Sequence, residues 1–332
     1  TKMDSSTSIA MADIEPGTVA KLDAVPVQLS NIQTGVGAAF YCEQGQRDHQ
    51  EDRCLLIPDI AKMRAIEKWQ FENEQDVRKQ LSNISMACVF DGHSGVRCAQ
   101  LLAQHLAGKL VTHKGFLKAG KNGIDAAIQD TFEEMDKEIC ETLALEKDGS
   151  GSTCVLTLFD GRKKLFTVAN TGDSMCVLSR GGRAVRLHRL HRLGGGQGDV
   201  EERKRVEAAG GKVINSRVNG VLAISRAFGD IQMKYFGGGN GRNTGPVICS
   251  PDIHSEIITP MTEFAVIGTD GLWDTMDPQQ VINFVRQRIL KKEGPLQETA
   301  QLLCREALAR GSVDNITALI VSFHLEKTSD QI

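Results

Sequence analysis

Acidic residues in this chain gather where apolar runs stop. Ala87-Cys88-Val89-Phe90 runs into Asp91-Gly92-His93, and Ala265-Val266-Ile267-Gly268-Thr269 runs into Asp270-Gly271-Leu272-Trp273-Asp274. Glu51-Asp52 precedes the apolar stretch Arg53–Ile57, Asp314-Asn315 precedes Ile316–Phe323, and Asp173 lies in Asn170-Thr171-Gly172-Asp173-Ser174. A single Asp-Gly is ordinarily a turn. Its recurrence at apolar run ends points further. Carboxylates from several sheet ends can converge on one point, and like charges so placed are unfavourable unless a cation neutralises them. Oxygen ligands select a hard cation such as magnesium, manganese or calcium over zinc or copper. Glycine after an acid lets the backbone approach a ligand closely, and its carbonyl can itself bind metal.

These acids need a scaffold of strands and helices. Thr153–Phe159 and Lys164–Val168 flank Asp160-Gly161, a hairpin turn signal, and Asp173–Ser179 and Arg183–Leu187 flank Gly181-Gly182. Consecutive strands with tight turns predict an antiparallel meander and argue against a doubly wound parallel sheet. Apolar runs predict further strands at Gly35–Tyr41, Arg53–Ile57, Ile84–Phe90, Gly220–Ser225, Glu263–Gly268 and Ile316–Phe323, with a short one near Val25–Leu29. Ile124, Ala127, Ile128, Thr131, Phe132, Met135, Ile139 and Leu143 recur at helical spacing, and Ser94–Val111 and Leu296–Arg310 read the same way. Lys62–Leu81 is a more charged helix candidate, and Val200–Ala209 is also helix-like. The sum is an α+β domain with helices laid over antiparallel sheets.

Bulk composition sets the limits. The chain has 332 residues, is 41% hydrophobic and 24% charged, and carries a net charge of −3. That supports a packed core and gives no electrostatic footprint for nucleic acid or an anionic membrane. No apolar run reaches membrane-spanning length. Residues 1–30 read as a flexible N-terminal tail without a signal peptide, and 31–326 as a single domain expected to be a monomer. Nine cysteines without C-x-x-C spacing suit a reducing compartment, cytoplasmic or nuclear.

The chain resembles the metal-dependent serine/threonine protein phosphatases of the type 2C class. The resemblance lies in Arg47-Asp48-His49-Gln50-Glu51-Asp52, Val89–Gly95, Gly151-Ser152-Thr153, Val168–Ser174, Gly220–Asp230, Thr269–Asp274 and Gly311–Thr317, in the family's order. It implies a sandwich of two antiparallel β-sheets flanked by α-helices, a four-layer αββα arrangement. It also implies two magnesium or manganese ions (Mg2+ or Mn2+), with a third, weaker one. Asp91 would bridge the two ions and the Gly92 carbonyl would bind one; Asp270 and Asp314 would bind the other. Glu51 and Asp52 would reach the ions through water, and Asp173 would help to hold the third. Two ions roughly 3.5–4 Å apart activate a water against phosphorus. Arg47 matches the phosphate-binding arginine, whose fork suits paired phosphate oxygens. His93 is the candidate general acid for the departing serine or threonine oxygen. Phosphoproteins are the implied substrates.

Departures from the pattern concentrate in one stretch. The family commonly has a second glycine where this chain has Ser94. It usually shows Asp-His-Lys-Pro where this chain reads Leu187-His188-Arg189-Leu190-His191-Arg192-Leu193, then Gly194-Gly195-Gly196. Residues Leu187–Gly211 correspond to the family's flap. The flap carries none of the acidic metal positions, so the chemistry is expected not to need it. Arg189, Arg192, Arg203 and Arg205, interleaved with Asp199, Glu201, Glu202 and Glu207, read as a charged surface for choosing protein partners or as a solvated helix. Pro58–Asn83 and Phe236–Gly245 look like additions. The rival readings are a cysteine phosphatase, a nucleotide-binding protein and an inactive phosphatase-fold binding module. The first fails because Cys304 and Arg310, at the required spacing, sit in a Gly-free helical stretch. The second fails because Phe40 takes the third glycine's place after Gly35-x-Gly37. The inactive module would have lost a metal carboxylate, and every such position is acidic here.

Overall fold

A computed structural model of the chain describes residues 27–31, 36–63, 74–117, 121–194, 197–235 and 243–323. Two antiparallel sheets form its centre. The six-stranded sheet runs in the spatial order Val27–Asn31, Val36–Glu43, Ile316–Ser322, Thr262–Gly268, Met175–Arg180, Arg183–Arg186. The five-stranded sheet runs Asp252–Ile257, Leu165–Thr171, Cys154–Asp160, Ile84–Phe90, Arg53–Ile57.

Alternation along each strand shows how the layers pack, since successive side chains point to opposite faces. Cys54, Leu56, Ala87 and Val89 of one sheet share a core with Ala265, Ile267, Leu319 and Val321 of the other. Their neighbours Leu55, Ile57, Met86, Cys88 and Phe90 pack outward with residues of Arg97–Thr112 and Lys121–Glu146, including Leu102, Leu106, Ile128 and Phe132. On the opposite side Phe264, Val266, Ala318 and Ile320 pack with Val281 and Val285 of Pro278–Leu290 and Leu303 and Ala307 of Leu296–Ala309. The result is the expected helix–sheet–sheet–helix order, an α+β fold. Among the described residues, no helix is long and apolar enough to cross a membrane.

Several sequence expectations change. Strands Leu165–Thr171 and Met175–Arg180 do not pair as one meander: each belongs to a different sheet. Gly172-Asp173-Ser174 is therefore the crossing between the sheets, which local turn signals cannot distinguish from a hairpin. Asp160-Gly161 does open a hairpin between paired antiparallel strands, but the connection is longer than a two-residue turn, with strands ending at Asp160 and resuming at Leu165. Gly220–Ser225 forms no strand; it makes isolated bridges, Leu222 to Val218 and Ile224 to Arg192. Its hydrogen bonds go elsewhere, as when the Ser225 N–H donates to the His191 carbonyl at 2.8 Å. Lys62–Leu81 is not one helix: a 3-10 turn spans Ile60–Lys62 and an α-helix Glu74–Leu81, with 64–73 outside the described residues. The same holds for 236–242 of the Phe236–Gly245 addition and for 1–26 of the proposed tail. Val27–Asn31 is a sheet strand, close to the short one expected near Val25–Leu29. Pro278–Leu290 was not anticipated, although Asp277 and Gln280 form a capping box with proline at the helix start.

Candidate active site

Asp91 follows directly on the five-stranded sheet's Ile84–Phe90. Its backbone is held on both sides by Thr153: the Asp91 N–H donates to Thr153 Oγ1 at 3.2 Å, and the Thr153 N–H donates to the Asp91 carbonyl at 2.9 Å. The same hydroxyl shares a 2.8 Å hydrogen bond with Ser174. Thr153 thus ties Asp91 to the inter-sheet crossing that carries Asp173. Asp270 opens the helical turn Asp270–Trp273 after the strand Thr262–Gly268 of the other sheet. Its N–H points at Asp91 Oδ2 over 3.5 Å. Ligand oxygens of Asp91, Asp173 and Asp270 all lie within 4.8 Å of one another.

Three carboxylates this close carry an electrostatic cost. Burial, then the charges of Asp270, Asp52, Asp173 and Asp314, push the Asp91 carboxyl well above the ordinary range. Burial, with Asp173 adding to it, raises Asp270 to about 7 despite the opposing Arg192 charge. Asp52 is also raised to about 7, chiefly by burial, although two hydroxyls favour its charge. Its Oδ2 accepts from Thr269 at 3.0 Å and Thr317 at 2.7 Å, whereas its buried Oδ1 has no hydrogen-bond partner. Buried and half-buried carboxylate oxygens that repel one another and are not all hydrogen-bonded suit a hard divalent cation. Gly92 fits the same site: a side chain there would collide with the Glu51 carbonyl oxygen. Glu51 in turn accepts the Gly95 N–H at 2.8 Å.

Asp314 stands outside the three-carboxylate group and makes a 2.6 Å ion pair with Arg47. The Arg47 side chain remains 53% exposed, open to an incoming anion. His93, on the short strand Gly92–His93, places Nε2 2.8 Å from Asp230 Oδ2. Burial pulls the His93 pKa down, but the charge and hydrogen bond of Asp230 outweigh it, and the net shift is upward. Gly151 makes the pair possible, because a Cβ there would overlap both His93 Nε2 and Asp230 Oδ2.

Two positioning residues, Asp230 and Asn315, have no role in the sequence reading, and a third, Arg192, has a different one. Asp230 lay inside a matched motif, and only its αL backbone (φ 49°, ψ 47°) presents it to His93. Asn315 is a clamp: its Nδ2 donates to the Gln44 carbonyl at 2.8 Å and the His49 carbonyl at 2.9 Å, and its Oδ1 accepts the Glu51 N–H at 2.7 Å. It fixes the loop carrying Arg47 and Glu51. Arg192 corrects the expectation that the flap stands apart from the acids. It pairs with Asp173 at 2.6 Å and with Asp270 and Asp274 at 2.8 Å. Other flap charges are also engaged within the domain. Buried Glu202 binds Arg226, and Arg205 at 3.0 Å, while Arg189 reaches Asp252 at 3.0 Å. No sequence signal separates such inward charges from a solvated face.

The protein phosphatase 2C family model matches residues 37–316. "Probable protein phosphatase 2C 69" of Arabidopsis thaliana is 37% identical over 244 residues, 73% of this chain and 62% of that protein. "Probable protein phosphatase 2C member 13, mitochondrial" of Oryza sativa subsp. japonica is 36% identical over 296 residues, 88% of this chain and 74% of that protein. A serine-threonine phosphatase 2C from Toxoplasma gondii has a similar solved structure. Its TM-score is 0.70 at 21% identity, with 90% of this chain and 99% of that one covered. The matched stretch thus spans less than two thirds of the Arabidopsis relative.

Proposed function

This chain belongs to the protein phosphatase 2C family, and we propose that it hydrolyses phosphoserine and phosphothreonine esters on other proteins with the help of divalent cations. The observation that carries this reading is the meeting of Asp91, Asp173 and Asp270 within 4.8 Å. Beside them, the buried Asp52 Oδ1 lacks a hydrogen-bond partner.

In this reading Asp91, Asp173 and Asp270 hold the cations, with the Gly92 carbonyl, Asp314, Glu51 and Asp52 as further oxygens. Magnesium or manganese held there, as a pair with a third weaker ion, would supply Lewis-acid charge stabilisation and lower the pKa of a water near the phosphorus. The protein's own groups do the rest. Arg47 offers a planar fork to two phosphate oxygens. The Arg47–Asp314 pair holds that fork in place beforehand, which reduces the ordering cost of binding. His93 keeps a proton for the leaving serine or threonine oxygen, because Asp230 raises its pKa. With Nε2 occupied by Asp230, Nδ1 of the imidazolium is the nitrogen left to give that proton.

Phosphate release from matched phosphothreonine and phosphotyrosine peptides, with manganese present, tests the assignment. The expected result is turnover of the phosphothreonine peptide at least tenfold faster. A folded chain that releases no phosphate from it at saturating manganese would overturn the proposal.

A further inference from the structure

Arg192 is a flap residue whose guanidinium lies among acids of the site. Nε donates to Asp173 Oδ2 at 2.6 Å, Nη2 to Asp270 Oδ2 at 2.8 Å, and Nη1 to Asp274 Oδ1 at 2.8 Å. A further bond runs from Nη2 to Asp274 Oδ2 at 3.3 Å. Two of the three acids, Asp173 and Asp270, belong to the group able to hold a metal ion. The guanidinium and a divalent ion are therefore rivals for the same oxygens. They also repel each other, and a carboxylate oxygen committed to an arginine fork has less charge to offer a metal.

The backbone around Arg192 is fixed. The His191 N–H donates to the Gly172 carbonyl at 3.0 Å, and the Gly172 N–H donates to His191 Nδ1 at 3.0 Å. Leu193 is fully buried among Val206, Val218 and Ile224. Arg192 itself bridges to Ile224. The anchor cannot slide, but the long side chain, 35% exposed, can swing toward solvent.

We propose that Arg192 is a resident counter-cation for the Asp173/Asp270/Asp274 corner, and that a divalent ion binds there by displacing its guanidinium. The flap is then a built-in competitor that sets the metal affinity of this corner. This rests on the metal-dependent reading given above.

Manganese binding to the full chain by calorimetry tests it, for wild type, Arg192→Met and Arg192→Lys, with the melting temperature in chelator as a second readout. Arg192→Met keeps the aliphatic stem and removes the competing charge. It should bind manganese at its weakest site at least tenfold more tightly than wild type, and melt lower than wild type in chelator because the acids then lack a counter-charge. Arg192→Lys, a point charge without the fork, should fall between them. Superimposable manganese isotherms for Arg192→Met and wild type would overturn the competition while leaving the metal reading intact. Manganese bound by neither chain would overturn both. Binding by Arg192→Met alone would support the competition in its strongest form.

Discussion

Nε2 of His93 lies 2.8 Å from Oδ2 of Asp230, although the two residues are far apart in the chain. Asp230 reaches this position from a left-handed backbone at φ 49°, a conformation that Asp and Asn tolerate better than other non-glycine residues. Asp230→Asn should therefore keep the local fold while removing the charge that raises the His93 pKa. Fewer molecules then carry the proton at neutral pH. We expect kcat on a phosphothreonine peptide to fall about ten- to a hundredfold, and the alkaline limb of its pH profile to move to lower pH. Aryl phosphates, with less basic leaving groups, should suffer less. An unmoved limb with equal losses on both substrates would reduce Asp230 to a structural role.

Gly151 faces the same pair. Because a Cβ at this position overlaps His93 Nε2 and Asp230 Oδ2, Gly151→Ala should part them. The double variant Gly151→Ala/Asp230→Asn should be little worse than Asp230→Asn alone, since the two changes remove one interaction. Rate losses that simply multiply would show that Gly151 acts elsewhere.

Asn315 offers a stability and activity test together. Asn315→Ala leaves the carbonyls of Gln44 and His49 and the N–H of Glu51 without their partner. The expected cost is about 2–4 kcal/mol of folding stability. A drop in kcat/KM should accompany it, because Arg47 and Glu51 ride on the released loop. Chemical denaturation and steady-state kinetics measure both. Full activity in the surviving folded fraction would separate the clamp from the chemistry.

Much of this site was legible in the sequence, for a physical reason. Asp91 and Asp270 each follow a strand with an unmistakable apolar run, and these two strand ends lie together at one edge of the sandwich. The Gly172-Asp173-Ser174 crossing reads in the sequence as part of a meander, because a turn between two sheets and one within a sheet use the same residues. Arg192 reads in the sequence as a surface charge, since periodicity cannot show that a loop folds back over the acids. Asn315 and Asp230 carry no such signal, because a backbone clamp and an αL-placed carboxylate depend on partners more than a hundred residues away. Pro278–Leu290 could have been found from Asp277-Pro278-Gln279-Gln280 alone.

A pH effect distant from the carboxylates follows from His188. Burial lowers its pKa to about 4, and the ring accepts the Cys176 N–H through Nε2 at 2.9 Å, which requires that nitrogen unprotonated. The unfolded chain binds the proton first, near pH 6.5, so stability is lost as pH falls from about 6.5 to about 4. The loss attributable to this one group is about 3 kcal/mol. His188→Gln should flatten that limb of the melting temperature against pH. An equally steep limb in the variant would assign the acid sensitivity to other groups.

Carboxylates that hold a cation for phosphate-ester hydrolysis are the centre of the proposed chemistry. Phosphate release from a phosphothreonine peptide, followed as manganese is added back to chelated protein, measures this directly in wild type and Asp91→Asn. We predict that wild-type turnover vanishes with chelator and returns with manganese or magnesium. At saturating manganese Asp91→Asn should remain about a thousandfold slower, near 4 kcal/mol of lost transition-state stabilisation. Full wild-type activity after exhaustive chelation, or an Asp91→Asn rate within tenfold of wild type, would contradict it.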